Sequence, residues 1–351
     1  MSVAYRPVQW NRNKLLYDAV LAAAIAAYVL IFIHVAPGFA PPGQPLDEPT
    51  IRMRAFGDCA FLMLSAILCI GPLARLDARF LPLLYNRRHF GVAACVVALT
   101  HASHVLSWYF GFSHVDPYVA LLSANTGYAD LAGFPFEIFG VAALTALCVL
   151  AATSHDFWLA FLTPPVWKAI HMSIYAAYAS VAAHVALGAM RAPYNGPLAI
   201  VAGAAVVCVA ALHLWAARRG AAADMPATAN PDGWLLVGPA TSIAEGRGIV
   251  VAVAGAESVA VFRHGGKFSA IANACAHQNG PLGEGRIIDG CVTCPWHGFQ
   301  YRPEDGRAPP PFTEKLATYR LNIADGQIYL DPRPNPPGTY VEPIVCGEAA
   351  P

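Results

Sequence analysis

The chain has 351 residues, of which 56% are hydrophobic and only 13% are charged, against about 25% charged in an average soluble protein. Lysine plus arginine and aspartate plus glutamate each number 22, so no basic excess exists that would favour nucleic-acid binding. Residues 1–220 hold half of all the charges, and the shorter segment 221–351 holds the other half. This uneven charge predicts a membrane block followed by a water-soluble domain.

A membrane-spanning helix needs about 20 mostly apolar residues. Six stretches fit: Leu15–Val35, Phe56–Leu73, Phe90–Phe110, Phe134–Ala152, Ala169–Met190 and Leu198–Ala217. The first is long and is followed by Pro-rich sequence, which favours a retained helix over a cleaved signal peptide. The sequence therefore predicts an all-α six-helix membrane bundle over residues 1–220.

The orientation of this bundle follows from lysine and arginine in the connections between spans. One side would hold ten of these residues and the other side three. Because the richer side is cytoplasmic in such proteins, we expect a multi-pass protein of the bacterial inner membrane. Both termini and the soluble domain would then be cytoplasmic.

Two predicted spans that run in the same direction carry histidines. The third has His89, His101 and His104, and the fifth has His171 and His184. The steps of 12 residues from His89 to His101 and of 13 from His171 to His184 rise about 18–20 Å. One histidine from each helix at one level can bind a haem iron from both sides. We predict haem ligation by His101 with His184, and by His89 with His171.

Alternatives to this assignment remain open. Steps of 12 or 13 residues do not return to one helix face, so two haem planes would be rotated relative to one another. The number of haems, one or two, stays open. His104 lies one turn beyond His101, and His114 falls in the following loop. An isolated histidine within a membrane also often bonds to a hydroxyl or to the backbone. Arg87 and Arg88 would pair with haem propionates or simply mark the cytoplasmic side.

These stretches resemble a known family. Arg87–Gly91 with His101, and Trp167–His171 with Tyr175, Tyr178 and His184, are similar to the third and fifth helices of ferric-reductase-like transmembrane domains. The nearest likeness is to the haem subunit of the periplasmic methionine-sulfoxide reductase system. The resemblance covers about residues 15–217 and implies b-type haem with electron transfer across the membrane.

The rest of the chain predicts a linker, a small all-β domain and a tail. Residues 221–233 are small, polar and Pro-containing, as in linkers. Residues 234–335 alternate short apolar runs with Gly-rich turns, which favours strands. A dinucleotide-binding fold would show a strand, a Gly-rich loop and a helix in succession, and the sequence has no such unit. Residues 336–351 form a Pro-rich tail.

The domain contains Cys275-Ala276-His277, sixteen further residues, and then Cys294-Pro295-Trp296-His297-Gly298. Two Cys–His pairs supply four ligands, which zinc uses in some proteins. A Rieske cluster instead binds one iron through two thiolates and the other through two imidazoles. The spacing and the flanking residues resemble the Rieske family, so we predict a [2Fe-2S] cluster bound by Cys275, His277, Cys294 and His297.

The Rieske proteins of quinol–cytochrome complexes have an extra disulfide between these two loops. Here Gly280 and Trp296 occupy those places, so the domain resembles the ferredoxin type found with oxygenases and nitrite reductases. This likeness implies a low potential within the range of about −150 to +300 mV. A disulfide-free site also suits a reducing cytoplasm. Cys291, three residues before Cys294, is expected to be a buried thiol.

These features predict a membrane-bound electron-transfer oxidoreductase without a catalytic residue of its own. A cytoplasmic flavoprotein or ferredoxin reductase would reduce the cluster, and electrons would pass through haem to a quinone, metal or periplasmic acceptor. Two alternatives are quinol-linked donation to a cytoplasmic partner and a redox sensor that acts through the tail. A Rieske oxygenase would need two histidines and a carboxylate for a mononuclear iron, and the soluble part shows no such cluster.

Overall fold

The computed structural model describes residues 12–40, 46–80, 83, 86–129, 133–154, 158, 161–162, 164–188, 196–223, 228–276, 280–295, 298–310 and 312–345. The chain divides into two compact units, which separate between residues 216 and 217. The first unit is helical, and the second is built from short strands.

The principal helices of the described residues are α1 (Arg12–Val35), α2 (Glu48–Leu76), α3 (Arg87–Phe112), α4 (Pro117–Ser123), α5 (Glu137–Ala152), α6 (Pro164–Met172), α7 (Ile174–Leu187) and α8 (Gly196–Ala223). Among these residues, five helical segments are long and apolar enough to cross a membrane: those of α1, α2, α3 and α8, and the stretch Val166–Leu187, which includes most of α6 and all of α7. The fourth predicted span corresponds to α5, which has only 16 residues. The helical membrane block is thus confirmed, with five long segments and one shorter apolar helix.

The helices pack mainly in two antiparallel pairs. Helix α3 lies along α2, and α7 lies along α5, while α1 packs against α2. Apolar side chains fill the space between the helices, including Phe61 of α2, Leu147 of α5 and Tyr178 of α7. The hydroxyl of Tyr178 bonds to Ser65 Oγ at 2.9 Å, so this buried polar group is satisfied.

The fifth predicted span is interrupted. Helix α6 ends at Met172 and α7 begins at Ile174, with Ser173 between them. The Ser173 N–H donates to the carbonyl of Ile170, three residues back, instead of four. His171 and His184 therefore lie on different helical segments, and their angular relation does not follow from a continuous helix of 3.6 residues per turn.

The strands of the second unit are β1 (Leu235–Pro239), β2 (Gly248–Val251), β3 (Val259–His264), β4 (Lys267–Ala272), β5 (Arg286–Ile288), β6 (Cys291–Thr293), β7 (Gln300–Tyr301), β8 (Thr318–Tyr319), β9 (Leu321–Ala324), β10 (Gln327–Leu330) and β11 (Ile344–Val345). They form three antiparallel groups in the orders β1-β10-β9, β11-β4-β3-β2 and β5-β6-β7, and β8 pairs with β4. This confirms the predicted small all-β domain.

The ends of the domain differ from the predicted boundaries. Helix α8 continues through Ala223, inside the segment predicted as a linker. Part of the predicted tail packs on the domain, because β11 pairs Ile344 with Phe268 of β4. The Val341 N–H also donates to the carbonyl of Glu304 at 2.9 Å. Pro336 and Pro337 lie in a turn, closed by a bond from Thr339 N–H to the Pro336 carbonyl, and the chain then returns to the sheet.

Candidate metal centres

His101 of α3 and His184 of α7 face each other within the helical unit. Their ring centroids are 6.3 Å apart, and the ring planes are inclined by 79°. Both rings are partly buried. The structure therefore brings together the two histidines that the sequence assigned to one level of the bundle.

Both rings are oriented through the same atom. The Nδ1–H of His101 donates to the carbonyl of Met53 at 2.9 Å, and that of His184 donates to the carbonyl of Phe136 at 3.0 Å. A histidine that binds metal usually donates its other ring N–H to an oxygen in this way. With Nδ1 engaged, Nε2 is the nitrogen of each ring that would bind iron.

His89, near the start of α3, contacts a charged residue of α1. Both carboxylate oxygens of Asp18 lie 2.9 Å from its Nδ1, so the ring N–H donates to the carboxylate. Ionisable side chains are costly within a membrane helix and are usually functional there. The oriented ring suits metal binding, but its orienting group is an anion, whereas His101 and His184 use neutral carbonyls.

His171, the other predicted inner ligand, lies against α5. Its Nε2 is 3.2 Å from Thr153 Oγ1, and its ring stacks on Trp167 at 3.9 Å. Because the Thr153 hydroxyl donates its own proton to the carbonyl of Val149, Nε2 of His171 donates to Thr153. The nitrogen that remains for a metal is then Nδ1.

The other histidines of this unit have different surroundings. His104 stacks on Phe56 with centroids 5.2 Å apart, and His114 lies in the loop after α3. His213 of α8 uses both ring nitrogens, because Nδ1 donates to the carbonyl of Val209 and Nε2 accepts from Tyr175. Arg87 and Arg88 are half-buried at the start of α3.

In the β unit, Cys275 lies in the loop between β4 and β5. Its side chain is 1% exposed, and its N–H donates to the carbonyl of Gly280 at 2.9 Å. Asn273 holds the base of this loop, because its Oδ1 accepts from Gly283 N–H and its Nδ2 donates to Ser258. These hydrogen bonds fix the loop on either side of Cys275.

Cys294 lies in the loop between β6 and β7. Its N–H donates to the carbonyl of Phe299, and its own carbonyl accepts from Gly298 N–H. Gly298 has a φ of 71°, a left-handed conformation that glycine adopts without steric cost. Both cysteines contribute to one buried core. The predicted histidine ligands, His277 and His297, lie outside the described residues.

A buried tyrosine connects the two loops. Tyr301 of β7 accepts a hydrogen bond from Ala276 N–H at 2.9 Å, and its hydroxyl lies 3.5 Å from Cys275 Sγ. Burial, followed by the nearby Cys275 thiol, raises the pKa of Tyr301 above its ordinary value. The tyrosine therefore keeps its proton and can donate it to a sulfur. Burial also raises the pKa of Cys291, so that this half-buried cysteine stays a thiol.

Sequence patterns did not identify Asp18, Tyr301 or the carbonyls that orient the histidines. Asp18 is the only acidic residue of the first predicted span. Because ionisable residues within membrane helices are usually functional, the sequence alone could have indicated it. Tyr301 follows the second ligand pair by four residues in alternating strand sequence. Backbone carbonyls leave no signal in a sequence. Among the described residues, no three metal-ligating side chains gather at one point.

Comparisons with known proteins fit both units. The family model of the Rieske [2Fe-2S] domain matches residues 233–320, and that of the ferric reductase like transmembrane component matches residues 56–182. The anthranilate 1,2-dioxygenase ferredoxin subunit of Burkholderia cepacia is 41% identical over 81 residues, which are 22% of this chain and 74% of that protein. The 3-phenylpropionate/cinnamic acid dioxygenase ferredoxin subunit of Escherichia coli (strain K12) is 36% identical over 75 residues, 21% and 71% of the two chains.

Among solved structures, a chain in the complex of reduced oxygenase and oxidized ferredoxin in carbazole 1,9a-dioxygenase has 31% sequence identity. The match covers 28% of this chain and 91% of that chain, with a TM-score of 0.26.

An apolar helical unit and a β unit with two buried cysteines on adjoining loops define a membrane electron-transfer oxidoreductase with an iron–sulfur domain. The chain belongs to the Rieske [2Fe-2S] family, and it carries that domain behind a ferric-reductase-like transmembrane component.

Proposed function

We propose that the protein conducts electrons between a cytoplasmic [2Fe-2S] cluster and b-type haem within the membrane, and onward to an acceptor outside. The facing pair of His101 and His184 is the observation that carries this proposal. Lipid would surround the helical unit, and a flavoprotein or ferredoxin reductase would supply the electrons. The acceptor would be a quinone, a metal or a periplasmic redox protein.

The separation of the two rings supports haem binding. Two imidazoles that would hold one haem iron must lie close together in the bundle, because each would bind the iron through one ring nitrogen. The observed separation is 6.3 Å. The donor set also fits, because both Nδ1 atoms donate to carbonyls and so direct neutral imidazoles to ligate through Nε2.

A second haem would use His89 and His171, near the predicted cytoplasmic ends of their helices. Asp18 orients the first ring, and Thr153 contacts the second. Arg87 and Arg88 stand beside His89 in the chain, where a guanidinium suits the carboxylate of a propionate. His89 and His171 bond to side chains, whereas His101 and His184 bond to backbone carbonyls. The two proposed haem sites therefore differ in the groups that orient their ligands.

The soluble domain would hold the cluster with Cys275 and Cys294 on one iron and His277 and His297 on the other. When bound, the cluster and the haem each accept and release single electrons. The protein buries both cysteines and places Tyr301 against one of them. The bias of lysine and arginine supports a cytoplasmic position for this domain.

The test is the haem-to-cluster ratio of the purified protein, with EPR of both centres. We expect low-spin haem together with the cluster signal. His101→Ala and His184→Ala should each remove at least one haem and leave the cluster signal unchanged. His213→Gln is the matched control, because His213 already uses both ring nitrogens within the bundle.

The same measurement decides the number of haems. If two are bound, His89→Ala should lose one and keep the other. Full retention of haem in His89→Ala would reject the second haem. Protein without low-spin haem would reject the proposed function.

A further inference from the structure

Each of the two facing histidines lies over a glycine of the neighbouring helix. His101 bonds to the carbonyl of Met53, four residues before Gly57 in α2. His184 bonds to the carbonyl of Phe136, four residues before Gly140 in α5. In a helix, the carbonyl of residue i accepts from the N–H of residue i+4. The Met53 carbonyl lies within α2, where the helical N–H of Gly57 points to it, whereas the Phe136 carbonyl precedes α5 and accepts from Phe139 N–H at 3.2 Å.

The glycines leave no room for a larger residue. A Cβ at position 57 would lie 2.9 Å from Nδ1 and 3.0 Å from Cε1 of His101. A Cβ at position 140 would lie 2.8 Å and 2.9 Å from the same atoms of His184. By contrast, a Cβ at Gly91 of α3 or at Gly203 of α8 would have nothing within 4 Å.

Small residues also occur in membrane helices because they let two backbones approach closely. That explanation does not fit these two positions, since the three atoms nearest to each missing Cβ all belong to an imidazole ring. Space is therefore left for the ring at the point where its N–H reaches the carbonyl.

We infer that Gly57 and Gly140 are positioning residues, each leaving the space in which one histidine ring lies against the carbonyl that orients it. This inference rests on the proposed haem site of His101 and His184. The same arrangement occurs twice, once between α2 and α3 and once between α5 and α7. Each predicted ligand is thus held by a glycine of the helix paired with its own and by a nearby backbone carbonyl.

An added methyl group should displace the ring and not the helix, because the ring is the end of a rotatable side chain. The displaced ring loses its bond to the carbonyl, and its ligating nitrogen loses the orientation that this bond fixes. Loss of such outer partners typically weakens metal binding about 10- to 100-fold. We expect a loss of this size in haem retention for Gly57→Ala and for Gly140→Ala.

The experiment uses the full chain in detergent, with Gly57→Ala and Gly140→Ala compared with Gly91→Ala and Gly203→Ala. The low-spin haem signal is measured relative to the cluster signal of the same sample. Both test variants should lose at least nine-tenths of the low-spin signal of the haem that His101 and His184 would bind, or convert that signal to high spin, and both controls should keep it. A native low-spin signal in both test variants would overturn the inference and leave the proposed function intact.

A double-mutant cycle on haem-free protein separates ring positioning from helix packing. If Gly57 makes room for His101, adding Gly57→Ala to His101→Ala should not lower the unfolding temperature, because alanine favours a helix over glycine. Equal losses of unfolding temperature with and without the His101 ring would show a packing role and overturn the inference. Absence of haem from the unmodified protein is a different result, which contradicts the proposed function itself.

Discussion

The hydroxyl of Tyr301 lies 3.5 Å from Sγ of Cys275 and accepts a hydrogen bond from the N–H of Ala276. The accepted bond engages an oxygen lone pair, so the hydroxyl keeps its own proton for donation to the sulfur. Hydrogen bonds to cluster sulfurs raise the reduction potential, because they stabilise the more negative, reduced form. Tyr301 is therefore placed to donate a hydrogen bond to a cluster sulfur. The expectation of a low reduction potential did not take this hydrogen bond into account.

Tyr301→Phe should lower the midpoint potential of the cluster. A net hydrogen-bond contribution of about 0.5–1.5 kcal/mol corresponds to about 20–65 mV for a one-electron couple. The shift is measured by potentiometric titration of the cluster's EPR signal in the full chain. Tyr319→Phe, at another buried tyrosine of the same domain, should leave the potential unchanged. An unchanged potential in Tyr301→Phe would mean that the hydroxyl does not donate to the cluster.

Asp18→Asn should change the haem that His89 would bind. The carboxylate makes the imidazole a stronger donor, which favours oxidised iron. Its removal should therefore raise the potential of that haem and weaken its retention about 10- to 100-fold. Spectroelectrochemical titration of the purified protein measures both effects.

The matched control for Asp18→Asn is Asp77→Asn, which removes the same charge where Asp77 pairs with the exposed Arg79 beyond α2. This control should behave like the unmodified protein. If Asp18→Asn keeps the native haem content and potentials, the contact between Asp18 and His89 serves no haem.

Acidification should destabilise the soluble domain through His264. Burial lowers the pKa of His264 below its ordinary value of 6.5, against the opposing effect of Glu304 and Glu245. The unfolded chain then binds a proton at a higher pH than the folded domain does. The contribution of this group to stability is complete above pH 6.5 and declines as the pH falls from 6.5 towards the lower pKa of the folded state.

The measurement is denaturant unfolding of the full chain between pH 5 and 8, followed by the visible circular dichroism of the cluster. The difference in unfolding free energy between pH 8 and pH 5 should be smaller for His264→Gln than for the unmodified protein. Arg286→Gln, at an exposed cation of β5 that is not among the charges acting on His264, should keep the native difference. Identical pH profiles for His264→Gln and the unmodified chain would assign the acid sensitivity to other groups.

Apolar length was sufficient to predict the helical unit, and histidine placement predicted that His101 and His184 lie close together. Their role as haem ligands stays a prediction. Helix ends were less predictable, since α2 begins at Glu48 instead of Phe56 and α8 continues to Ala223. Charged and small residues at these ends lower the hydropathy without ending the helix. The interruption at Ser173 was hidden, because serine is a weak helix breaker and its neighbours are apolar.

The surroundings of the ligands were less predictable than the ligands themselves. Asp18 is 71 residues from His89 in the chain, and such pairings depend on which helices become neighbours. Gly57 and Gly140 lie among many small residues of apolar helices, so only the position of the ring distinguishes them. By contrast, the positions of Cys275 and Cys294 on two loops follow from motif spacing and strand pattern alone.

The central claim is that electrons reach the membrane haem through the cluster. It is tested most directly by stopped-flow reduction of haem in inverted membrane vesicles, with reduced ferredoxin reductase added on the cytoplasmic side. The unmodified protein should show fast haem reduction, and Cys294→Ser should show only background reduction while its haem stays chemically reducible. Equal rates of haem reduction in the unmodified and Cys294→Ser proteins would contradict the account.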